Sequence, residues 1–394
     1  AQLAQILRND PNHLSAAWIF ADRARSHQIQ SPQLIKLENA PSLSIARFVD
    51  TGKTIMGANL DGQAGYWNSE SGFLHSRLFH HDSTVLDMIQ STDGSVTATA
   101  TESGAVYLWD NDTGSTQHPR FLHKNPAQRI LVTKDLEILV VKTRSRRVHI
   151  WDIENRTRVG PVIVHRAAIQ ALELSPDESK LLTGSHDGRL CLWELRTGRL
   201  IDEIAPKLSW VNSAAFHPNG KNVIASFSRR AAAIWNPLND IESLIPFPHE
   251  NRVNYAMFVP NRDMAFTCSR DFTARIWNTL NGEPIGSPMV HPSWVLKAWP
   301  AANGDQLITY TSNQRLHRWD LATNKQLAPE IRIQSDVLDL LPDPETTNVK
   351  VVTSNGYVAS WTKLLNQPEP RTLAHEHRIG KFTLSQNGRW IAST

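Results

Sequence analysis

The segment Leu181-Leu182-Thr183-Gly184-Ser185-His186-Asp187-Gly188-Arg189-Leu190-Cys191-Leu192-Trp193-Glu194 alternates apolar with small or polar positions, turns, and alternates again into a tryptophan. Period-two patterning on both sides of an Asp-Gly pair predicts a β-hairpin with one buried face. The same reading places a strand over 169–174 before the Pro176-Asp177 turn, and another over 200–204 after the Thr197-Gly198 turn. The unit is therefore four short antiparallel strands, called a to d below. A single twisted sheet of that size cannot bury both faces alone, so it predicts copies stacked around an axis.

The copies are present. Trp67, Trp109, Trp151, Trp193, Trp235, Trp277, Trp319 and Trp361 recur every 42 residues, which assigns eight of the 13 tryptophans to one equivalent place in strand c. A fixed period between roughly 20 and 50 residues marks a repeat architecture. His81, His123, His165, His249, His291 and His375 keep the same period, broken at Lys207 and Ile333. Ser or Thr stands eight residues before the Trp at Thr101, Thr143, Ser185, Ser269, Thr311 and Thr353, and Asp stands six before it at Asp61, Asp187 and Asp271. Two copies carry the full set: His165, Ser185, Asp187, Trp193 and His249, Ser269, Asp271, Trp277.

These residues, with Trp-Asp at 109–110, 151–152 and 319–320, resemble the WD-repeat β-propeller family over residues 31–394. The resemblance implies an all-β propeller of four-stranded antiparallel blades. It also implies a hydrogen-bonded relay in each blade, from Trp through Ser/Thr and His to Asp, because buried indole and imidazole nitrogens need partners. The copy at Trp235 departs furthest, with Lys207, Phe227 and Arg229 at the three other places, and is expected to be held by packing alone. Gly282-Glu283-Pro284-Ile285-Gly286-Ser287-Pro288-Met289-Val290-His291, echoed at 160–165, resembles repeats of large bacterial multidomain proteins that set such arrays behind helical repeats and sometimes a Ser/Thr kinase.

Closure of the ring has two solutions. An orphan strand d over 33–38 precedes the complete units and an orphan a–b pair over 379–394 follows them. Seven blades would use 33–320 and eight would use 33–362. Residues 1–30 lack the strand pattern: Leu3, Ile6 and Leu7 have helical spacing, Asn9-Asp10-Pro11-Asn12 interrupts it, and helical periodicity resumes from Ala16. This stretch is expected to be a helical, tetratricopeptide-like linker. The start at Ala1-Gln2 and the end inside a strand pattern fit a fragment of a longer protein.

Composition narrows the function. The net charge of +3 over 394 residues argues against nucleic acid as the main partner, and there is no apolar run of membrane-spanning length. Cys191 and Cys268 both fall in strands and read as buried thiols, compatible with a cytoplasmic protein. The six periodic histidines lie one per blade and cannot meet at one metal. No zinc-spaced Cys pair, phosphate loop or nucleophile elbow is present. The reading is no enzyme, no metal and no cofactor.

What remains is where copies differ on one end of the ring. Three residues after the periodic His, the chain reads Thr84, Pro126, Ala168, Trp210, Arg252, Trp294, Asp336 and Arg378. Trp210, Arg252 and Trp294 thus fall in successive blades at one height, at positions where other copies manage without them. The b–c turns of nearby blades add Arg144, Arg146, Arg147, Arg229, Arg230 and Arg270. Trp and Arg dominate binding hot spots. The expected activity is non-catalytic binding of a protein or peptide, acidic or phosphorylated, on this top face. Two competing readings are an enzyme using the central channel, which requires converging acids, bases or a metal, and a purely architectural spacer.

Overall fold

The computed structural model describes residues 33–361, apart from 41, 76–77, 117–118, 206–209, 238–243, 302–303, 334 and 343–348, together with 382–384 and 391–393. The helical, tetratricopeptide-like stretch expected over 1–30 lies outside the described residues, as does His375. The chain divides into two compact units, Leu34–Ser360 and a second formed by Ala1–Gln33 with Trp361–Thr394. The described part of the second unit is one hairpin, Phe382–Leu384 paired with Ile391–Ser393, where the orphan a–b pair was expected.

Eight four-stranded antiparallel sheets account for the rest. Seven, blades 1 to 7, run a-b-c-d in chain order, with strands a at Leu43–Val49, Val85–Gln90, Ala127–Val132, Ile169–Leu174, Val211–Phe216, Val253–Phe258 and Val295–Pro300 respectively. The eighth takes strands a to c from Val337–Pro342, Val349–Thr353 and Tyr357–Trp361, and its fourth strand from Gln33–Lys36 at the other end of the chain. Of the two closures, eight blades is the one formed. The seam is bonded through Leu37 N–H to Gly356 O at 2.9 Å and Leu43 N–H to Ser354 O at 2.7 Å. Trp67 adds a bond from its indole to Glu38 O at 2.8 Å.

Blades hold one another through apolar layers between successive sheets. Leu182, Leu190 and Leu192 of blade 4 meet Phe216, Val223 and Trp235 of blade 5, and comparable clusters join the other neighbours. Leu37, Trp67, Val352 and Val358 fill the layer at the seam. Cys191 and Cys268 are both buried, Cys268 in such a layer, and burial pushes the Cys191 thiol up to about 11, so it stays protonated.

One irregularity recurs in every blade. The a–b register slips after the first paired residue of strand a, at Leu43/Ile45, Val85/Asp87 and Ala127/Arg129 and likewise around the ring. A bulge re-aims the extra residue away from its own sheet. Three of these residues then satisfy the first strand-a carbonyl of the next blade: Ser44 Oγ to Val85 O at 3.0 Å, Asn212 Nδ2 to Val253 O at 2.7 Å, and Asn254 Nδ2 to Val295 O at 2.8 Å.

Candidate top-face binding site

The relay fixes the loops that carry the site, and its hydroxyl differs from the expected one. The Trp193 indole donates to Thr183 Oγ1 at 2.9 Å, His165 Nε2 meets the same oxygen at 2.8 Å, and His165 Nδ1 lies 3.3 Å from Asp187 Oδ2. Blade 6 repeats the arrangement with Trp277, Thr267, His249 and Asp271 at 2.8, 2.6 and 2.7 Å. Ser185 and Ser269, expected in that place, instead accept the N–H of Asp187 and Asp271 at 3.1 Å and donate to the carbonyls of Ala167 and of Asn251 and Arg252. The register explains the correction. Thr183 pairs with Cys191, two places along from the Trp193–Leu181 pair and so on the same face, whereas Ser185 sits at the hairpin end where turn donors need an acceptor.

Burial opposes the Asp271 carboxylate, yet His249 and Thr273 hold it well below the usual carboxylate range. Where the hydroxyl column fails, the indole finds other partners. Val141 replaces Thr in blade 3, and Trp151 donates to His123 Nε2 at 3.0 Å. Trp235, in the divergent copy, is buried with Phe227 in the apolar layer between blades 4 and 5, while Arg229 is exposed.

The loops so fixed bring the Trp/Arg columns to one rim. The carbonyls of Ala168, Trp210, Arg252 and Trp294 each accept the N–H of a b–c turn residue, His186, Ser228, Arg270 and Ser312, at 2.8 to 2.9 Å. The fold therefore uses only the backbone at these places, and the side chains are free to differ. Trp210 is 49% and Trp294 42% exposed. Trp210 stacks on His186, ring centroids 4.9 Å apart and planes 23° apart. The Arg270 guanidinium lies over the Trp294 ring at 4.6 Å.

The bulge residues anchor the cations between these aromatics. Arg252 donates to Asn212 Oδ1 at 2.5 Å and Arg270 to Asn254 Oδ1 at 3.3 Å. Arg252 Nε is buried and has no partner. Burial and the neighbouring Arg270 both push the Arg252 guanidinium below its ordinary range. Among the described residues, no ion pair engages Arg252, Arg270, Arg229 or Arg230, so positive charge is concentrated without a carboxylate to offset it. Ser228, on the turn that carries Arg229 and Arg230, is bonded to Trp210 through both its hydroxyl and its N–H.

The structure thus joins Trp210, Arg252, Arg270 and Trp294 through His186, Asn212 and Asn254. Arg146 and Arg147 are exposed on the blade 3 turn, where Arg146 donates to Arg166 O at 2.6 Å, and they stand apart from this cluster. His186, Asn212 and Asn254 were not picked out from the sequence. Asn at the second place of strand a in two adjacent blades was the available signal.

The channel side carries charge of both signs. Asp87 Oδ1 pairs with Arg47 at 2.8 Å and Asp87 Oδ2 accepts Ile130 N–H at 2.8 Å. Glu173 accepts Phe216 N–H at 3.0 Å, and burial pushes its carboxyl up to about 7. Among the described residues, no three His, Cys, Asp or Glu side chains converge as a metal site. Nor is any helix among them long and apolar enough to cross a membrane.

Comparison with known proteins agrees with this geometry. Residues 157–194 and 242–278 match the family model described as WD domain, G-beta repeat, and these two matches contain the two Trp–Thr–His–Asp relays. Together with the eight-bladed ring they support the WD-repeat propeller family. No curated protein sequence matches the chain. The crystal structure of a computationally designed protein, Ika8, superposes with a TM-score of 0.69 at 18% identity, covering 84% of this chain and all of that one. At that identity the likeness speaks for the fold alone.

Proposed function

We propose that the chain is a non-catalytic docking module whose top face, around Trp210, Arg252, Arg270 and Trp294, binds an acidic or phosphorylated protein segment. WD-repeat propellers commonly mediate protein–protein interaction. The observation that carries the finer reading is the pair Arg252 and Arg270, set between two half-exposed tryptophans and, among the described residues, neither in an ion pair. Aromatic rings supply contact area at low entropic cost, and an unpaired guanidinium pair selects for carboxylate or phosphate. Arg229 and Arg230 extend the positive rim, with Arg146 and Arg147 as an outlying part of it. The strand-d resemblance favours a reading in which the module belongs to a larger bacterial multidomain protein and acts in the cytoplasm as a scaffold or sensor.

The test is a pull-down from source lysate with wild type and the Trp210→Ala/Trp294→Ala variant, folding being checked by circular dichroism. Capture of a partner by wild type alone supports the proposal. Equal capture by both moves the binding site elsewhere.

A further inference from the structure

Phe272 occupies the turn position held by Gly62, Gly104, Gly188 and Gly356 in four other blades and by Arg146, Arg230 and Gln314, also at positive φ, in the remaining three. Its φ is +67°, in the left-handed region that a bulky aromatic residue rarely adopts. At three of the equivalent glycines the d–a loop leaves little room. A Cβ would come within 2.7 Å of Ser83 O at Gly62, 2.3 Å of His123 O at Gly104, and 1.8 Å of Ala40 O at Gly356.

The fold uses this position only through its carbonyl. Phe272 O accepts His291 N–H at 2.8 Å, as Gly62 O accepts His81 N–H at 2.9 Å and Gly104 O accepts His123 N–H at 3.0 Å. The phenyl ring contributes nothing to that bond and is 47% exposed. It stands two residues after Arg270, on the turn whose cation covers Trp294. The other non-glycine residues at this place are polar, so an aromatic ring held in the left-handed region and left half in water is the exception among them, and such outliers gather where ligands bind.

We infer that Phe272 is a specificity contact that reads an apolar side chain next to the anionic group of the segment bound at Arg252 and Arg270. This rests on the top-face reading above and adds a requirement to it: the ligand is acidic and apolar side by side, so a uniformly acidic segment is a poor one. The ring's half-exposed surface and a cation two residues away on the same turn fit that alternation.

The probes are two fluorescein-labelled nonapeptides differing at one place, with a central Asp-Asp pair followed by Phe or by Ala. Their affinities are measured by fluorescence anisotropy for wild type, Phe272→Gly and Trp210→Ala/Trp294→Ala. Wild type is expected to bind the Phe peptide about tenfold more tightly, the order of one buried aromatic contact. Phe272→Gly is expected to bind both peptides with the weaker affinity and to melt at an equal or higher temperature. Equal affinity of wild type for the two peptides, binding of neither, or undiminished discrimination by Phe272→Gly overturns the inference. Undiminished binding by the double Trp variant overturns the top-face reading itself, whatever Phe272 does.

Discussion

The Arg270 guanidinium lies 4.6 Å from the centre of the Trp294 ring, and its Nε donates to Asn254, the bulged residue of the same blade. A structural irregularity inside the sheet thereby positions a cation on the rim. The tryptophan beneath it is not part of the core, which separates its energetic role from that of the periodic tryptophans. Trp294→Ala and Trp210→Ala should each change stability by less than ~1 kcal/mol, the usual range for surface replacement. Trp277→Ala, which empties a site only 1% exposed, should cost about 3–5 kcal/mol. Urea unfolding midpoints of the three variants check this, and comparable losses would make the rim tryptophans structural.

The relay makes a sharper distinction between two neighbouring hydroxyls. Thr183→Val leaves both the Trp193 indole and the His165 ring short of a partner at 0% exposure, and should cost about 1–3 kcal/mol. Ser185→Ala removes a turn acceptor and a donor to Ala167 O, each a long bond at 3.1 Å near the hairpin end, and should cost about 1 kcal/mol or less. The reverse order in thermal denaturation would restore Ser185 to the relay.

The contrast shows what was legible in the sequence. The tryptophan period placed strand c in every copy, and hairpin signals placed strands a, b and d. The hydroxyl column eight residues before the Trp holds in six copies and is the conspicuous one, whereas in the column ten before Thr stands only at Thr99, Thr183, Thr267 and Thr309. Cross-strand register decides between them, and register follows from pairing in space. The closing strand at the start of the chain was legible, but which late blade it completes was not, because either ring size preserved the spacing. Phe272 in place of a turn glycine was visible, but its meaning depended on φ.

Acid should loosen the ring. Burial pushes His149 and His291 down to about 4, below the ordinary 6.5. Between those values the unfolded chain takes up protons that the folded one refuses. Their contribution is therefore complete above pH 6.5 and is lost as pH falls toward 4. Unfolding free energy should drop between about pH 7 and about pH 5, and His149→Gln with His291→Gln should flatten that slope. A slope unchanged in the double variant would assign it to other groups.

Glu173 works in the opposite sense. Its carboxyl, raised by burial from 4.5 to about 7, keeps its proton in the fold where the unfolded chain has lost it. The stability it contributes is present below 4.5 and disappears as pH rises through 7. Glu173→Gln keeps an acceptor for Phe216 N–H and should melt higher than wild type above about pH 8, with no gain at about pH 5. Equal melting at the higher pH would mean that the carboxylate is well solvated in the channel.

The central claim is that an unpaired cationic pair on the top face selects an anionic partner. Its most direct measurement is the affinity of the Asp-Asp-Phe nonapeptide for wild type and for Arg252→Glu/Arg270→Glu, at low and at raised ionic strength. The account predicts weakening with salt for wild type, about tenfold or greater loss in the charge-reversed variant, and similar melting temperatures for both proteins. Affinity indifferent to salt and to charge reversal would contradict it.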